Sequence, residues 1–450
     1  MIRLALSELR DGWRSWVGMF FMIIVASTIM GACATLGSTW LARQTGNAIS
    51  TGVDDVLAQL TIMVSGFSGV TAIIVLSSVA AIAVQGDRRR YARWQLIGIT
   101  PAEVSGVVVL QLVILAFLGA LIGLLVAAAA AQPTIDLVVN AVEAATGDAI
   151  SIHATVSAGV FGAVGILIVV VVLLSGIAPA RRAARIPPME VLRADETPRQ
   201  GMSILRWVLT GLCAAAVVGL LISTIGNSVD IITLNTIFAC ILLAATVAAA
   251  APVILPPIIR SWPRMLPTRA STTWFLARTS AAHRLQYSAS SVTPLMVGIA
   301  LIGSIYSAAY TQRNAMLANG IPIGRMELAN DQVVIMLGGP LILAAFGAAT
   351  AVFQGSHQRL RNASVLSRIG IRSRAILYSA FLEAIIYVVT AFLVAFLVIV
   401  LVVSVESAAL IQAVGPSLPT MTFGPILIVA AIGLLLDSAG ALLPLAQRRK

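Results

Sequence analysis

Ten long apolar runs divide this chain and leave room for few architectures. They cover approximately residues 16–38, 63–84, 103–131, 157–178, 205–226, 232–259, 288–311, 332–353, 375–404 and 425–446. A helix needs about 20 apolar residues to cross a bilayer, and each run supplies them. In lipid every backbone polar group must be satisfied internally, which permits only helices and closed barrels. A barrel would show short alternating segments, whereas these runs are continuous. The expected fold is all-α and polytopic, with ten transmembrane helices and no large extracytoplasmic domain. Composition agrees: 59% of the residues are hydrophobic and 10% charged, against about 25% charged in a soluble domain. With aromatics at 6%, contacts between helices must lean on Ala, Gly, Val, Leu and Ile. The first run exceeds the apolar core of a signal peptide, about 7–15 residues, and reads as a membrane helix.

The formal charge is +11, and Lys450 is the sole lysine; the other basic residues are arginines. In a soluble protein such a balance would suggest nucleic-acid binding. Here its distribution follows the positive-inside rule, so no nucleic-acid partner is expected. With both termini in the cytoplasm, all of the 29 basic residues except Arg43, Arg313 and Arg325 fall in cytoplasmic segments or their flanks. The longest exterior loops, 39–62 and 132–156, are too short for a folded soluble domain. Cys33, Cys213 and Cys240 lie in apolar runs without paired spacing, and read as core residues.

The sequence repeats at an offset of 272. Arg89 then meets Arg361, Ile97-Gly98-Ile99 meets Ile369-Gly370-Ile371, and Gln111 meets Glu383. Gly119 and Gly123 meet Ala391 and Ala395, a small-xxx-small pair in each copy, which allows close approach of helix backbones. The implied organisation is a four-helix repeat over 1–204, a two-helix linker over 205–259 and a second repeat over 260–450. Both repeats start and end on the same side, so they are parallel repeats.

Energy-coupling chemistry is missing from the motifs. A P-loop needs a lysine in a glycine-rich turn, and the sole lysine is the last residue. His153, His283 and His357 lack metal spacing, so no cofactor is expected in this chain. Glu383 and Asp437 are the acids placed inside spans. Each would be costly against lipid, and either bonds across the bundle or handles a cation, a proton or substrate.

The basic turns are the better functional candidates. Arg88, Arg89, Arg90, Arg93, Trp94 and Leu96 form a short segment that is helical in propensity. Gly98 follows as a break, and Thr100-Pro101 opens the next helix. Arg361, Val365, Leu366 and Arg368 occupy the second copy. Arginines alone could anchor to lipid headgroups, which leaves the apolar residues and the recurrence unaccounted for.

These residues resemble the FtsX-like permease family, the membrane subunits of ABC transporters of the macrolide-exporter and lipoprotein-releasing type. The resemblance rests on Arg88 to Thr100, ending LIGIT, on Arg361 to Arg372, ending RIGIR, and on the tail PARRAARIPPMEVLR over 179–193. The two-repeat layout is similar to that of the bacitracin-type permeases. The resemblance implies a bacterial plasma-membrane location and two cytoplasmic ATPase subunits per chain, which would carry ATP and Mg. It implies that residues 86–97 and 358–369 dock on those subunits, and that a peptide, lipid or amphiphilic drug is moved or a mechanical signal passed. Two other readings fit the residues: a proton-coupled secondary transporter using Glu383 and Asp437, and a signalling membrane protein that transports nothing.

Overall fold

The computed structural model describes residues 13–45, 52–86, 88–146, 152–184, 204–266, 271–283, 285–321, 336–351, 353–354, 368 and 370–446. Regular structure among them is helical, without strands. In chain order the helices are α1 (Trp13–Thr45), α2 (Gly52–Gly86), α3 (Arg88–Leu96), α4 (Pro101–Ala129), α5 (Ala131–Thr146) and α6 (Ala158–Ala184). They continue as α7 (Ile204–Thr224), α8 (Val229–Met265), α9 (Thr272–His283), α10 (Leu285–Ala318), α11 (Met336–Ala351), α12 (Ser373–Ala413) and α13 (Phe423–Ala446).

Eight of the described helices are long and apolar enough to cross a membrane. The fifth and eighth expected spans correspond to shorter apolar helices, Thr210–Thr224 and Met336–Ala351. Helix α7 as a whole spans 21 residues, Ile204–Thr224. In contrast, α12 overshoots. Its 41 residues extend about 60 Å, twice the hydrocarbon thickness of about 30 Å. The sequence places a boundary near 404, but no helix breaker occurs until Gly415-Pro416. Glu406, counted as an exterior acid on that boundary, therefore lies inside the helix.

The chain forms two compact units. The first comprises residues 1–196 with 328–350; the second comprises 197–327 with 351–450. Compactness thus follows packing rather than chain order, since α11 up to Thr350 belongs with the first unit.

In the first unit, α1, α2, α4 and α6 enclose a core that includes Met22, Ile23, Leu76, Val79, Leu112 and Val172. The approach of α1 to α4 depends on the small residues singled out in the sequence. A Cβ on Gly119 would stand 2.7 Å from Ile23 Cγ2, and one on Gly123 would stand 2.5 Å from Ile24 O. Thr28 Oγ1 donates to Gly123 O at 3.2 Å across the same contact. Onto this assembly α11 packs through Leu343, with the Phe21 and Phe346 rings 5.9 Å apart.

In the second unit, α10 lies along α12, and Gly303 leaves room for Ile399. Ala391 and Ala395 on α12 are fully buried. The α7–α8 hairpin and α9 pack on the same assembly, and Trp262 Nε1 donates to Thr390 Oγ1 at 3.0 Å. Four prolines, Pro252, Pro256, Pro257 and Pro263, lie within α8, each removing a backbone donor.

The segment between the third and fourth spans, read as an exterior loop, has structure of its own. Helix α5 folds back so that Ile135, Val138 and Val139 pack with Leu36 and Ile152. Gln132 Oε1 accepts from Ala154 N at 2.9 Å and holds the extended residues that lead into α6.

Candidate functional site

The basic segment at 88–96 is a helix in its own right. Among the described side chains of α3, Tyr91 is only 1% exposed and its ring lies 5.7 Å from that of Trp94. Trp94 and Ile99 are half-buried and pack against the core of the first unit. The helix is therefore fastened to the bundle by its aromatic face. Its apolar C-terminal end turns outward: Leu96 is 53% exposed and Ile97 is 80% exposed. Arg93 is exposed beside them. Arg88, Arg89 and Arg90 form the first turn.

The turn that ends α3 is specific. Ile97 N and Ile99 N donate to Trp94 O, and Gly98 N donates to Gln95 O, all at 3.1 Å. Gly98 adopts φ +99°, a left-handed conformation that costs a residue bearing a Cβ about 1–2 kcal/mol. Thr100 then caps α4: its hydroxyl accepts from Glu103 N at 3.4 Å, while the Glu103 carboxylate accepts from Thr100 N at 2.9 Å. This reciprocal pair, with Pro101 in the first turn, starts the helix sharply.

The same backbone turn occurs in the second copy. Gly370 adopts φ +91°, Ile371 and Arg372 are extended, and α12 begins at Ser373. Arg372 occupies the N-cap with φ −61° and ψ +136°, against −72° and +152° at Thr100. These positions again differ by the offset found in the sequence. Arg368 is helical and exposed, whereas Arg361, Val365 and Leu366 lie outside the described residues.

The polar residues expected within spans are all buried. Gln111, on α4 of the first unit, has no hydrogen-bond partner at Oε1 among the described residues. Glu383, on α12 of the second unit, accepts from Tyr387 through Oε1 and from Ser280 of α9 through Oε2 at 3.3 Å. Asp437 is buried on α13. Glu406 is a further buried acid that sequence reading missed. The signal that could have found it is the apolar sequence continuing past 404 without a breaker. Among the described residues no group of His, Cys, Asp and Glu could hold a metal ion, and the three cysteines are free.

Comparison with known families adds one decisive observation. The model of the FtsX-like permease C-terminal family matches residues 62–188. This part of the chain is an FtsX-like permease domain. The matched stretch runs from within α2 through α3 and its turn to the tail after α6, and so includes the first copy of the basic segment and its turn, but not the second. The matched domain and the eight long apolar helices together fit a multi-pass membrane permease. No curated protein matches the chain.

Proposed function

We propose that the chain is the permease subunit of an ABC transporter, and that α3 receives the movement of a separate cytoplasmic ATPase. The observation that carries this reading is the build of α3 within the FtsX-like domain. Tyr91 and Trp94 hold it to the bundle, while Leu96 and Ile97 stand exposed with the exposed Arg93. An apolar end flanked by charge is a good protein-docking element, because the apolar part supplies affinity and the charge guides encounter.

The packing supports a route for force. A push on Leu96 and Ile97 reaches the core through Tyr91 and Trp94, and reaches α4 through the Gly98 turn. Close contact at Gly119 and Gly123 passes the movement of α4 to α1. In the second copy, residues 358–369 would serve a second ATPase, acting on α12. The full reading has ten spans in two parallel repeats, both termini in the cytoplasm and one chain per two ATPase subunits. ATP and Mg belong to those subunits, and the permease itself is not an enzyme. The cargo is a peptide, lipid or amphiphilic drug, or the output is a mechanical signal. The bonds of Glu383 to Tyr387 and Ser280 favour a packing role for that acid over proton transport.

The test is purification of the tagged chain from native membranes, followed by native mass measurement. One chain with two P-loop ATPase subunits is expected. A chain that carries no ATPase, or a 2:2 assembly, would overturn the reading or its pseudo-dimeric form respectively.

A further inference from the structure

The second unit contains a sealed polar site that its packing role does not explain. Glu406 on α12 is 2% exposed, and its Oε2 has no hydrogen-bond partner among the described residues. Cys240 of α8 is buried within electrostatic reach of this carboxylate and lies beside the Ser304 hydroxyl of α10. Ser304 Oγ makes no well-formed hydrogen bond among the described residues. Three helices thus bring a carboxyl group, a thiol and a hydroxyl into one interior place. Cys240 of α8 is a titratable group whose thiol feels the Glu406 carboxylate, and Ser304 of α10 lies beside that thiol.

Apolar layers close this place. One turn beyond Glu406, Ala409 and Leu410 pack with Ile232 of α8 and Ala315 of α10, and Val414 covers them. Beside that plug, Gln312 Nε2 donates to Thr233 Oγ1 at 2.9 Å and ties α10 to α8. In the other direction, Ile399 fills the space at Gly303, and Ile426 of α13 reaches the same point. An ionised carboxylate between two such layers would be strongly disfavoured without a cation or water. The neutral acid carries no charge to hydrate, and burial favours it.

We propose that Glu406 is a proton-binding site that latches the α8–α10–α12 interface. With the proton bound, the plug of Ile232, Ala315, Ala409 and Leu410 stays closed. When the proton passes to water, the carboxylate must be hydrated. The plug then parts and Cys240 becomes reachable. The site would make this end of the second unit respond to pH, independently of ATPase docking at α3.

Cys240 supplies the readout. The chain carrying Cys33→Ala and Cys213→Ala is placed in lipid nanodiscs, where both faces are accessible and orientation does not matter. A charged maleimide is added from about pH 6 to about pH 9, the range in which a buried carboxylate can ionise, and Cys240 labelling is followed by mass spectrometry. An ionised Glu406 beside the thiol disfavours the reactive thiolate and by itself slows labelling, so a rise in the rate relative to Glu406→Gln reports opening rather than thiol titration. That ratio should rise about tenfold or more across the range; a flat ratio overturns the proposal. Leu410→Ser, which wets the plug, should allow labelling at every pH, and continued protection there would also overturn it. Independently, the infrared carbonyl band of a protonated carboxylic acid should be present at neutral pH and reduced in Glu406→Gln. An unchanged band in that variant would assign the proton elsewhere and sink the idea.

Discussion

The hydroxyl of Thr311 accepts the backbone N–H of Thr420 at 3.0 Å, and the hydroxyl of Thr39 accepts that of Thr155 at 3.2 Å. Thr39 and Thr311 are related by the same offset as the two glycine turns. In each case a segment just ahead of a helix, α6 or α13, is pinned by a threonine of α1 or α10. Thr311 is buried, and its hydroxyl is also placed to donate to Thr420 O at 3.3 Å. Thr311→Val should therefore orphan a backbone donor and cost about 1–3 kcal/mol, read as a lower melting temperature of the purified protein. Thr311→Ser keeps the hydroxyl and should lose much less.

Gly123→Ala tests the close helix contact of the first unit. The added methyl would meet Ile24 O and the Ser27 Cβ, each at 2.5 Å. Overpacking of this kind costs about 1–3 kcal/mol. Gly106, on the same helix, has open space around it. Gly106→Ala should be neutral or slightly stabilising, because alanine is the better helix former. Equal melting temperatures for the two variants would contradict the described α1–α4 approach.

The two faces of α3 should separate in mutation. Ile97→Asp and Leu96→Ser alter exposed side chains, and should weaken ATPase binding while leaving the melting temperature nearly unchanged. Truncating an interface hot spot costs about 2 kcal/mol, roughly thirty-fold in affinity. Tyr91→Ala removes a buried ring and should instead destabilise the permease by about 3–5 kcal/mol. If α3 serves only as a lipid anchor, ATPase recovery should be unaffected by Leu96→Ser and by Ile97→Asp.

Glu383→Gln should retain most transport or signalling activity, since the amide oxygen can accept from one of the two hydroxyl groups while its NH2 donates to the other. Glu383→Leu leaves those two hydroxyl groups without their acceptor and should lower stability. Complete loss of activity in Glu383→Gln, with the ATPase still bound, would instead indicate an ion or substrate role.

Much of the fold was legible because lipid imposes one solution on the backbone. Each apolar run must close its own hydrogen bonds, so the ten apolar runs lead to the expectation of ten helices, and among the described residues eight helices are long and apolar enough to cross. The break at Gly98 and the cap at Thr100 were legible for a local reason. Glycine tolerates positive φ, and threonine before proline begins a helix, whatever the surroundings. The recurrence of that turn at Gly370 follows from the same local rules.

Other features were decided only by tertiary packing. In a membrane protein, a residue facing lipid and one facing a neighbouring helix are equally apolar, so sequence does not reveal partners. Nothing in the sequence of α11 assigns it to the first unit; that depends on the fit of Leu343, Phe346 and Gly347 against α1 and α2. Trp94 reads in sequence as an outward plug, yet Tyr91 and the core draw it half inward and leave Leu96 and Ile97 exposed. Glu406 looks like a loop acid until α12 runs on past it and α8 and α10 close around it. Sequence by itself determined the long apolar helices and the turns at Gly98 and Gly370, because those are contests within one backbone. The three-dimensional structure decided which buried polar groups meet, because that depends on which helices share an interface and in what register.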